Sequence, residues 1–244
     1  MTPWPYPRMI AHRGGGTLAP ENTLAAIRTA PQYRYRGVEF DVMLSADAQP
    51  VLIHDETLER TTSGRGEVAT TPLSVLATLD AGSWKAARFA GEPVPTFTAA
   101  AKLCIELGLW ANIEIKPARG HETATGDIAG RIAAAAWQGA KTLPLISSFR
   151  PAALVAAHQR APDFALGWLV GRIEPGWQRE LANLGCVSLH CNQAHLTAAQ
   201  AREVKDAGYW LFCYTVNDPV RARELFDWGV DAMVTDRPDL LAPD

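Results

Sequence analysis

The segment from Gly37 to Asp55 reads Gly37-Val-Glu39-Phe-Asp41-Val-Met-Leu-Ser-Ala-Asp-Ala-Gln-Pro-Val-Leu-Ile-His54-Asp55. It predicts two extended runs joined by a short turn. A strand of an α/β protein is usually buried on both faces and apolar almost throughout. Glu39 and Asp41 are two residues apart and therefore project from the same face of the first run. Because two buried like charges are costly unless a cation compensates them, this pair predicts a divalent metal site.

The second extended run must return antiparallel to the first. Five residues separate Leu44-Ser45 from Val51, whereas a parallel crossover needs about a dozen or more. The return run is therefore a hairpin arm that brings His54 close to the two acids.

Nine segments of the chain have the short, apolar, β-rich composition of strands. They begin near Met9, Val38, Val51, Ala111, Pro144, Phe164, Cys186, Trp210 and Asp231. Helical spacing from Phe97 to Leu107, and proline at the start of 151–160 and 219–228, place helices between strands. Such alternation is typical of a parallel sheet, and removing the hairpin arm leaves the eight strands of a (β/α)₈ TIM barrel.

One spacing between predicted barrel strands is too long for a single βα unit. A barrel of ~250 residues allows about 30 residues per unit, but about 75 separate the second barrel strand from the third. We therefore expect one TIM-barrel domain over residues 1–244 with an inserted lobe at about 46–95. The lobe would hold the hairpin return, the polar loop from Thr61 to Gly66, and a helix near Leu73 to Leu79.

The C-terminal ends of barrel strands are where catalytic groups are expected. Polar groups stand there on three neighbouring strands, namely His12 and Arg13, then Glu39 and Asp41, then Glu114 and Lys116. The three carboxylates would supply hard oxygen ligands, which select Mg²⁺, Ca²⁺ or Mn²⁺ over zinc. The two basic side chains would make the site net positive and suit a phosphodiester. The two histidines, His12 and His54, could flank the phosphorus as acid and base.

Structural roles for these and other polar residues remain open from the sequence. Glu39 and Asp41 could be ion-paired with a basic neighbour, and Glu114 could pair with Lys116. Glu21-Asn22-Thr23 is interpreted as the start of the first helix, and Asp236 before Arg-Pro as a helix N-cap. Four further polar residues could line a substrate pocket or could equally pack in the core: His190, Asn192, Tyr214 and Asn217.

The bulk composition excludes some classes of protein. A net charge of -3, a pI near 6.1 and the lack of a Lys/Arg cluster argue against a nucleic-acid partner. No leader or run of about 18 apolar residues occurs, so we expect no membrane span. The four cysteines have no CxxC spacing, which favours buried thiols and a cytoplasmic location. Whether the barrel forms a homodimer stays open.

A series of motifs resembles the glycerophosphodiester phosphodiesterase family. The matching segments are Ile10-Ala-His-Arg-Gly14, Pro20-Glu-Asn-Thr23, Glu39-Phe-Asp41, His54-Asp55, Arg60-Thr61-Thr62, Glu114-Ile-Lys116, Ser147-Ser-Phe149, Tyr214-Thr-Val-Asn217 and Gly229-Val-Asp-Ala-Met-Val-Thr-Asp236. They cover nearly the whole chain, and Trp4-Pro-Tyr-Pro-Arg resembles bacterial cytosolic members in particular. One departure is Pro95-Thr-Phe-Thr-Ala99, where the family often has an acidic residue.

The resemblance implies a TIM barrel that hydrolyses glycerophosphodiesters, such as glycerophosphocholine or glycerophosphoethanolamine, to sn-glycerol 3-phosphate and an alcohol. It implies that His12 and His54 are catalytic, and that Arg13 and Lys116 bind phosphate. Two other functions remain compatible with the residues: a lyase-like transphosphatidylase that releases a cyclic phosphate, and a non-catalytic barrel that binds glycerophosphodiesters.

The same resemblance implies one divalent cation, Mg²⁺ or Ca²⁺ with Mn²⁺ also possible. Its carboxylate ligands would be Glu39, Asp41 and Glu114.

Overall fold

Eight parallel strands form a closed barrel in the computed structural model, which describes residues 3–243. The nine strands are β1 (Met9–Ala11), β2 (Gly37–Leu44), β3 (Pro50–Leu52), β4 (Trp110–Ile115), β5 (Leu145–Ser148), β6 (Ala165–Val170), β7 (Ser188–Asn192), β8 (Trp210–Tyr214) and β9 (Ala232–Thr235). Strand β1 pairs with both β9 and β2, which closes the barrel. Strand β3 pairs antiparallel with β2, as the five-residue connection predicts. The predicted TIM barrel is confirmed.

Most helices follow a barrel strand and cover the outside of the barrel. The α-helices are α1 (Leu24–Thr29), α2 (Leu73–Leu76), α3 (Phe97–Glu106), α4 (Glu122–Ala136), α5 (Pro151–Arg160), α6 (Trp177–Leu184), α7 (Ala198–Asp206) and α8 (Pro219–Asp227). Local sequence explains several of their starts. The hydroxyl of Thr96 accepts a hydrogen bond from the Ala99 backbone N–H at the start of α3, and proline opens α5 and α8 as predicted. Helix α2 is shorter than the predicted helix from Leu73 to Leu79.

Aromatic rings fill the N-terminal end of the barrel. Trp4 and Tyr6, which precede β1, insert between Trp110 and Trp210, the first residues of β4 and β8. The Tyr6 and Trp110 rings stack with centroids 4.6 Å apart, and Trp4 meets Trp210 edge-on at 5.3 Å. Stacked and edge-to-face rings add to the stability that apolar burial provides. These rings close the N-terminal end of the barrel.

The chain between β2 and α3 packs on a small apolar cluster of its own. Its buried members include Met43, Val51, Ile53, Leu58, Val68, Leu76, Ala81 and Val94. Because β3 lies beside β2, this cluster holds the hairpin arm, and therefore His54, against the barrel rim. Within residues 3–243, no helix is both long and apolar enough to cross a bilayer.

Candidate active site

Three carboxylates meet at the C-terminal ends of β2 and β4. The parallel register places Asp41 directly opposite Glu114, and Glu39 projects from the same face of β2 as Asp41. One oxygen from each side chain lies within 4.8 Å of the others. Glu39 and Asp41 are only 3% and 1% exposed. The acids that the sequence predicts as neighbours are therefore neighbours, and they are buried.

The electrostatics of these acids favour a cation among them. Burial, together with the charge of Asp41, raises the pKa of Glu114 to about 8, and the same causes raise the pKa of Glu39. Burial is the largest influence on Asp41 and opposes its ionisation, but the charges of Arg13, His54 and Lys116 and the hydrogen bond from Asn22 together outweigh burial and lower the Asp41 pKa. Atom Oε1 of Glu39 and Oε1 of Glu114 are buried without a hydrogen-bond partner among the described residues. Such unsatisfied carboxylate oxygens fit a hard divalent cation.

His12 is paired with Asp236 across the seam that closes the barrel. Strands β1 and β9 are parallel neighbours with Ala11 opposite Thr235, so the next residues of both strands meet. His12 Nδ1 lies 2.6 Å from Asp236 Oδ1, and His12 Nε2 lies 3.8 Å from Glu39 Oε2. The amide of Asn217 donates to the other Asp236 oxygen at 3.0 Å. The predicted N-cap role of Asp236 is wrong, because its carboxylate orients this imidazole instead.

His54 is paired with the residue that follows it. Its Nδ1 lies 2.6 Å from Asp55 Oδ1, and its Nε2 lies 2.8 Å from Lys116 Nζ. Since an ammonium group can only donate, Nε2 accepts and the ring proton sits on Nδ1, facing Asp55. Burial lowers the pKa of His54, although the charge of Asp41 opposes the shift, so the neutral ring is favoured. Lys116 also lies 3.8 Å from Glu114, so the pairing that the sequence left open is observed.

Arg13 adopts a backbone conformation that is rare for a residue with a side chain. Its φ of 51° and ψ of 34° are left-handed. In this conformation its backbone N–H donates to Glu39 Oε2 at 2.9 Å, and its guanidinium Nε approaches Asp41 Oδ2 at 3.6 Å. Its Nη1 donates to Glu21 Oε1 at 2.5 Å. The left-handed conformation of Arg13 thus lets it contact two of the three buried acids, Glu39 and Asp41.

Two residues of this site were interpreted from the sequence only as a helix start. Thr23 does cap α1, since its hydroxyl accepts from the Ala26 backbone N–H. Asn22, however, donates from Nδ2 to Asp41 Oδ2 at 2.7 Å and accepts from the Asp41 backbone N–H at 3.0 Å. Glu21 accepts hydrogen bonds from both Arg13 and Arg60. A local capping pattern could not reveal these long-range contacts.

The four residues left open between pocket and core take different positions. His190 is fully buried and stacks on Phe212 with ring centroids 4.2 Å apart. Asn192 caps the turn after β7, since its side chain accepts from the Ala194 backbone N–H. Tyr214 donates its hydroxyl to the Val170 carbonyl, and Asn217 holds Asp236. His190 is therefore a core residue, and Asn217 supports a site residue.

Comparisons with known proteins point to one family. The model of the glycerophosphoryl diester phosphodiesterase family matches residues 12–240. A glycerophosphodiester phosphodiesterase from Caldanaerobacter subterraneus is 34% identical over 235 residues, covering 96% of this chain and 95% of the relative.

Solved structures agree with the sequence relatives. An Oleispira antarctica phosphodiesterase, solved with its product sn-glycerol-3-phosphate, has a TM-score of 0.92 and 40% identity, covering 96% of this chain and 94% of that one. A glycerophosphodiester phosphodiesterase from Agrobacterium tumefaciens has a TM-score of 0.78 at 29% identity, covering 96% and 98%.

Proposed function

The chain belongs to the glycerophosphoryl diester phosphodiesterase family and is a phosphodiesterase, and we propose that it hydrolyses glycerophosphodiesters to sn-glycerol 3-phosphate and an alcohol with His12 and His54 as the acid–base pair. One observation carries the proposal. Two histidines, each paired through Nδ1 with a carboxylate at 2.6 Å, converge on one buried cluster of acids. The product bound to the Oleispira relative supports the choice of substrate, for which glycerophosphocholine and glycerophosphoethanolamine are the first candidates.

The two histidines have surroundings that suit different roles. His54 is neutral and keeps its lone pair on Nε2, so we assign it as the base that takes the proton from the attacking water. His12 faces a carboxylate with each ring nitrogen, Asp236 at 2.6 Å and Glu39 at 3.8 Å. Asp236 orients the His12 ring, and His54 is already assigned as the base, so we assign His12 as the acid. As the water oxygen bonds to phosphorus, the phosphorus–oxygen bond to the alcohol breaks, and His12 protonates the departing oxygen.

Glu39, Asp41 and Glu114 would hold one divalent cation, Mg²⁺ or Ca²⁺, with Mn²⁺ as a further candidate. The Oε1 atoms of the two glutamates accept no hydrogen bond from the described residues, which supports this assignment, and the all-oxygen ligand set suits hard ions. When bound, the cation would orient the phosphate and stabilise negative charge on its non-bridging oxygens. The charge of the three acids would otherwise repel an anionic substrate.

Arg13 and Lys116 are our candidates for phosphate binding. Both lie at the rim beside the acids, Arg13 3.6 Å from Asp41 and Lys116 3.8 Å from Glu114. In the structure Glu21 holds the Arg13 guanidinium and His54 holds the Lys116 ammonium. Lys116 can therefore turn toward a substrate phosphate by releasing His54 Nε2, which frees that lone pair for the incoming water.

Phosphorus NMR of glycerophosphocholine turnover tests the proposal directly. We expect the diester signal to be replaced by that of sn-glycerol 3-phosphate, with loss of activity in EDTA and recovery on adding Mg²⁺ or Ca²⁺. His12→Ala and His54→Ala should each lower kcat by about 10²-fold or more. Full turnover in excess EDTA would refute the cation assignment. A persistent cyclic phosphodiester would instead identify the transphosphatidylase reaction.

We also propose that the enzyme works in the cytoplasm. All four cysteines are buried free thiols, a state that a reducing compartment maintains.

A further inference from the structure

A cavity lies at the N-terminal end of the barrel, opposite the acids and histidines. Its volume is 620 Å³, within the range of small-molecule sites. We call it the N-terminal groove and define it by six of its lining residues: Arg34, Arg36, Leu109, Trp110, Trp137 and Lys141. Arg36 directly precedes β2, whereas Asp41 is five residues farther along. At about 3.3 Å per residue, the groove lies roughly 17 Å from the carboxylates.

The charged side chains that line the groove, among the described residues, are all positive. Arg34, Arg36 and Lys141 are all exposed, and none of them is among the ion pairs found within residues 3–243. None of the described lining residues is an aspartate or glutamate. The whole chain carries a net charge of -3, so this cluster is not a result of a basic composition. Three like charges around one cavity raise the local potential and attract an anion.

The walls between these charges are apolar. Trp110 and Trp137 are 8% and 4% exposed, and Leu109 is also buried. Ile105, which is exposed, lines the same cavity. Because Trp110, Trp137 and Leu109 are already buried, the apolar surface that a bare ion would leave in contact with water belongs chiefly to Ile105 and Pro5. An anion with a hydrocarbon body would cover it, and removing apolar surface from water favours binding.

We propose that the N-terminal groove binds an organic phosphate that carries an apolar substituent. The phosphate is held by Arg34, Arg36 and Lys141, since two guanidinium forks and an ammonium match its oxygens. The substituent lies against the exposed side chains of Ile105 and Pro5, beside the nearly buried rings of Trp110 and Trp137. The groove contains none of the catalytic candidates, so its occupancy is independent of the proposed phosphodiesterase chemistry.

NMR of protein labelled with ¹⁵N-tryptophan, titrated with n-hexyl phosphate, tests the proposal. Saturating sn-glycerol 3-phosphate is present to occupy the active site. We expect the indole signals of Trp110 and Trp137 to shift, because both rings line the groove, while those of Trp84 between β3 and α3 and Trp177 on α6 stay in place. Trp110 is a sensitive reporter, since its Nε1–H donates to the Leu143 carbonyl beside the groove.

Charge-matched variants separate the groove from general electrostatics. The pair Arg34→Gln with Arg36→Gln should weaken n-hexyl phosphate binding by about tenfold or more. The matched pair Arg202→Gln with Arg223→Gln, on exposed positions of α7 and α8, should bind as the wild type does. Glycerophosphocholine turnover should be unchanged in both pairs, which verifies folding. Lys141→Gln provides a second, single-residue test of the same cluster.

Each alternative result would overturn part or all of the proposal. Equal affinity of wild type and the Arg34/Arg36 pair would exclude these cations as the anchor. Equal binding of n-hexanol would exclude a phosphate site, and equal binding of inorganic phosphate would exclude a role for the apolar walls. Absence of a shift at Trp110 and Trp137 up to about 10 mM probe, where any remaining affinity is negligible, would reject the site.

Discussion

His190 makes the pH dependence of stability a direct test of the barrel interior. It lies on β7 with an exposed fraction of 0%, and neither ring nitrogen has a hydrogen-bond partner among the described residues. Its ring stacks on Phe212 and passes over Gly167, where a Cβ would come within 2.3 Å of His190 Nε2. Burial lowers the pKa of His190 to about 3. Replacing the imidazole by a neutral amide in His190→Gln removes this titration.

The expected change in the free energy of unfolding follows from the difference between the pKa of His190 in the folded and in the unfolded protein. In the unfolded chain a histidine has a pKa near 6.5. Between about pH 6.5 and pH 3 the unfolded state therefore binds more protons, so stability is present above this window and is lost as the pH falls through it. The linkage relation gives a loss of about 2 kcal/mol between pH 7 and pH 5 from His190 alone.

Urea unfolding followed by far-UV circular dichroism at pH 7, 6 and 5 measures the effect. Wild type and His190→Gln are compared in EDTA, so that the remaining titrating groups are common to both and cancel in the difference. The free energy of unfolding of the wild type, minus that of the variant, should fall by about 2 kcal/mol from pH 7 to pH 5. A change below about 0.5 kcal/mol would refute the assignment of His190 as a buried neutral histidine.

Three further predictions follow from the site and the core. Asp236→Asn keeps the shape of the side chain that contacts His12 but removes its charge, so kcat should fall by about 10²-fold with little change in KM. Steady-state kinetics on glycerophosphocholine measures both constants, and an unchanged kcat would contradict the prediction. Glu114→Gln should weaken Ca²⁺ binding in calorimetry. In EDTA at pH 7 it should unfold at a higher temperature than wild type, because folding no longer has to protonate a buried acid whose pKa is raised to about 8; a lower melting temperature would contradict this. Burial raises the pKa of Cys104 and Cys186 to about 12. Ellman's reagent at pH 8 should therefore label neither thiol in the native protein, but all four thiols of the chain in urea. Rapid labelling of either thiol in the native protein would exclude its burial.

The number of barrel strands could be predicted because its signals are local. The connection before Val51 is too short for a crossover, which removes β3 from the barrel and leaves eight strands. Proline at 151 and 219 opens α5 and α8 in the structure, as the pattern predicts. The predicted helix from Leu73 to Leu79 is longer than α2, because the apolar residues that suggested it continue to Leu79. In the structure the Thr78 N–H already donates to the Val75 carbonyl, a hydrogen bond of a turn.

That the three acids and the two histidines lie close together could be predicted for a different reason. Most of them stand at the end of a strand, and a closed parallel barrel brings all its strand ends to one rim. The partners that orient them could not be predicted from local sequence. His12 and Asp236 are 224 residues apart and meet only because β1 pairs with β9. The Arg-Pro that follows Asp236 pointed to a helix cap, which is a local interpretation of a long-range contact.

Arg13 shows how local strain and long-range charge combine in this site. A left-handed backbone at a residue other than glycine costs on the order of 1–3 kcal/mol. That cost is offset because the conformation aims the Arg13 N–H at Glu39 and its guanidinium at Asp41. Asn22, also left-handed with a φ of 58°, clamps Asp41 from the other side through both its amide atoms. Asparagine adopts this conformation at little cost, and Arg13 and Asn22 together contribute to the stabilisation of ionised Asp41. Among the described residues, Glu39 and Glu114 each keep an oxygen that accepts no hydrogen bond, although Lys116 lies 3.8 Å from that of Glu114. This difference between Asp41 and the two glutamates is compatible with a divalent cation among the three acids.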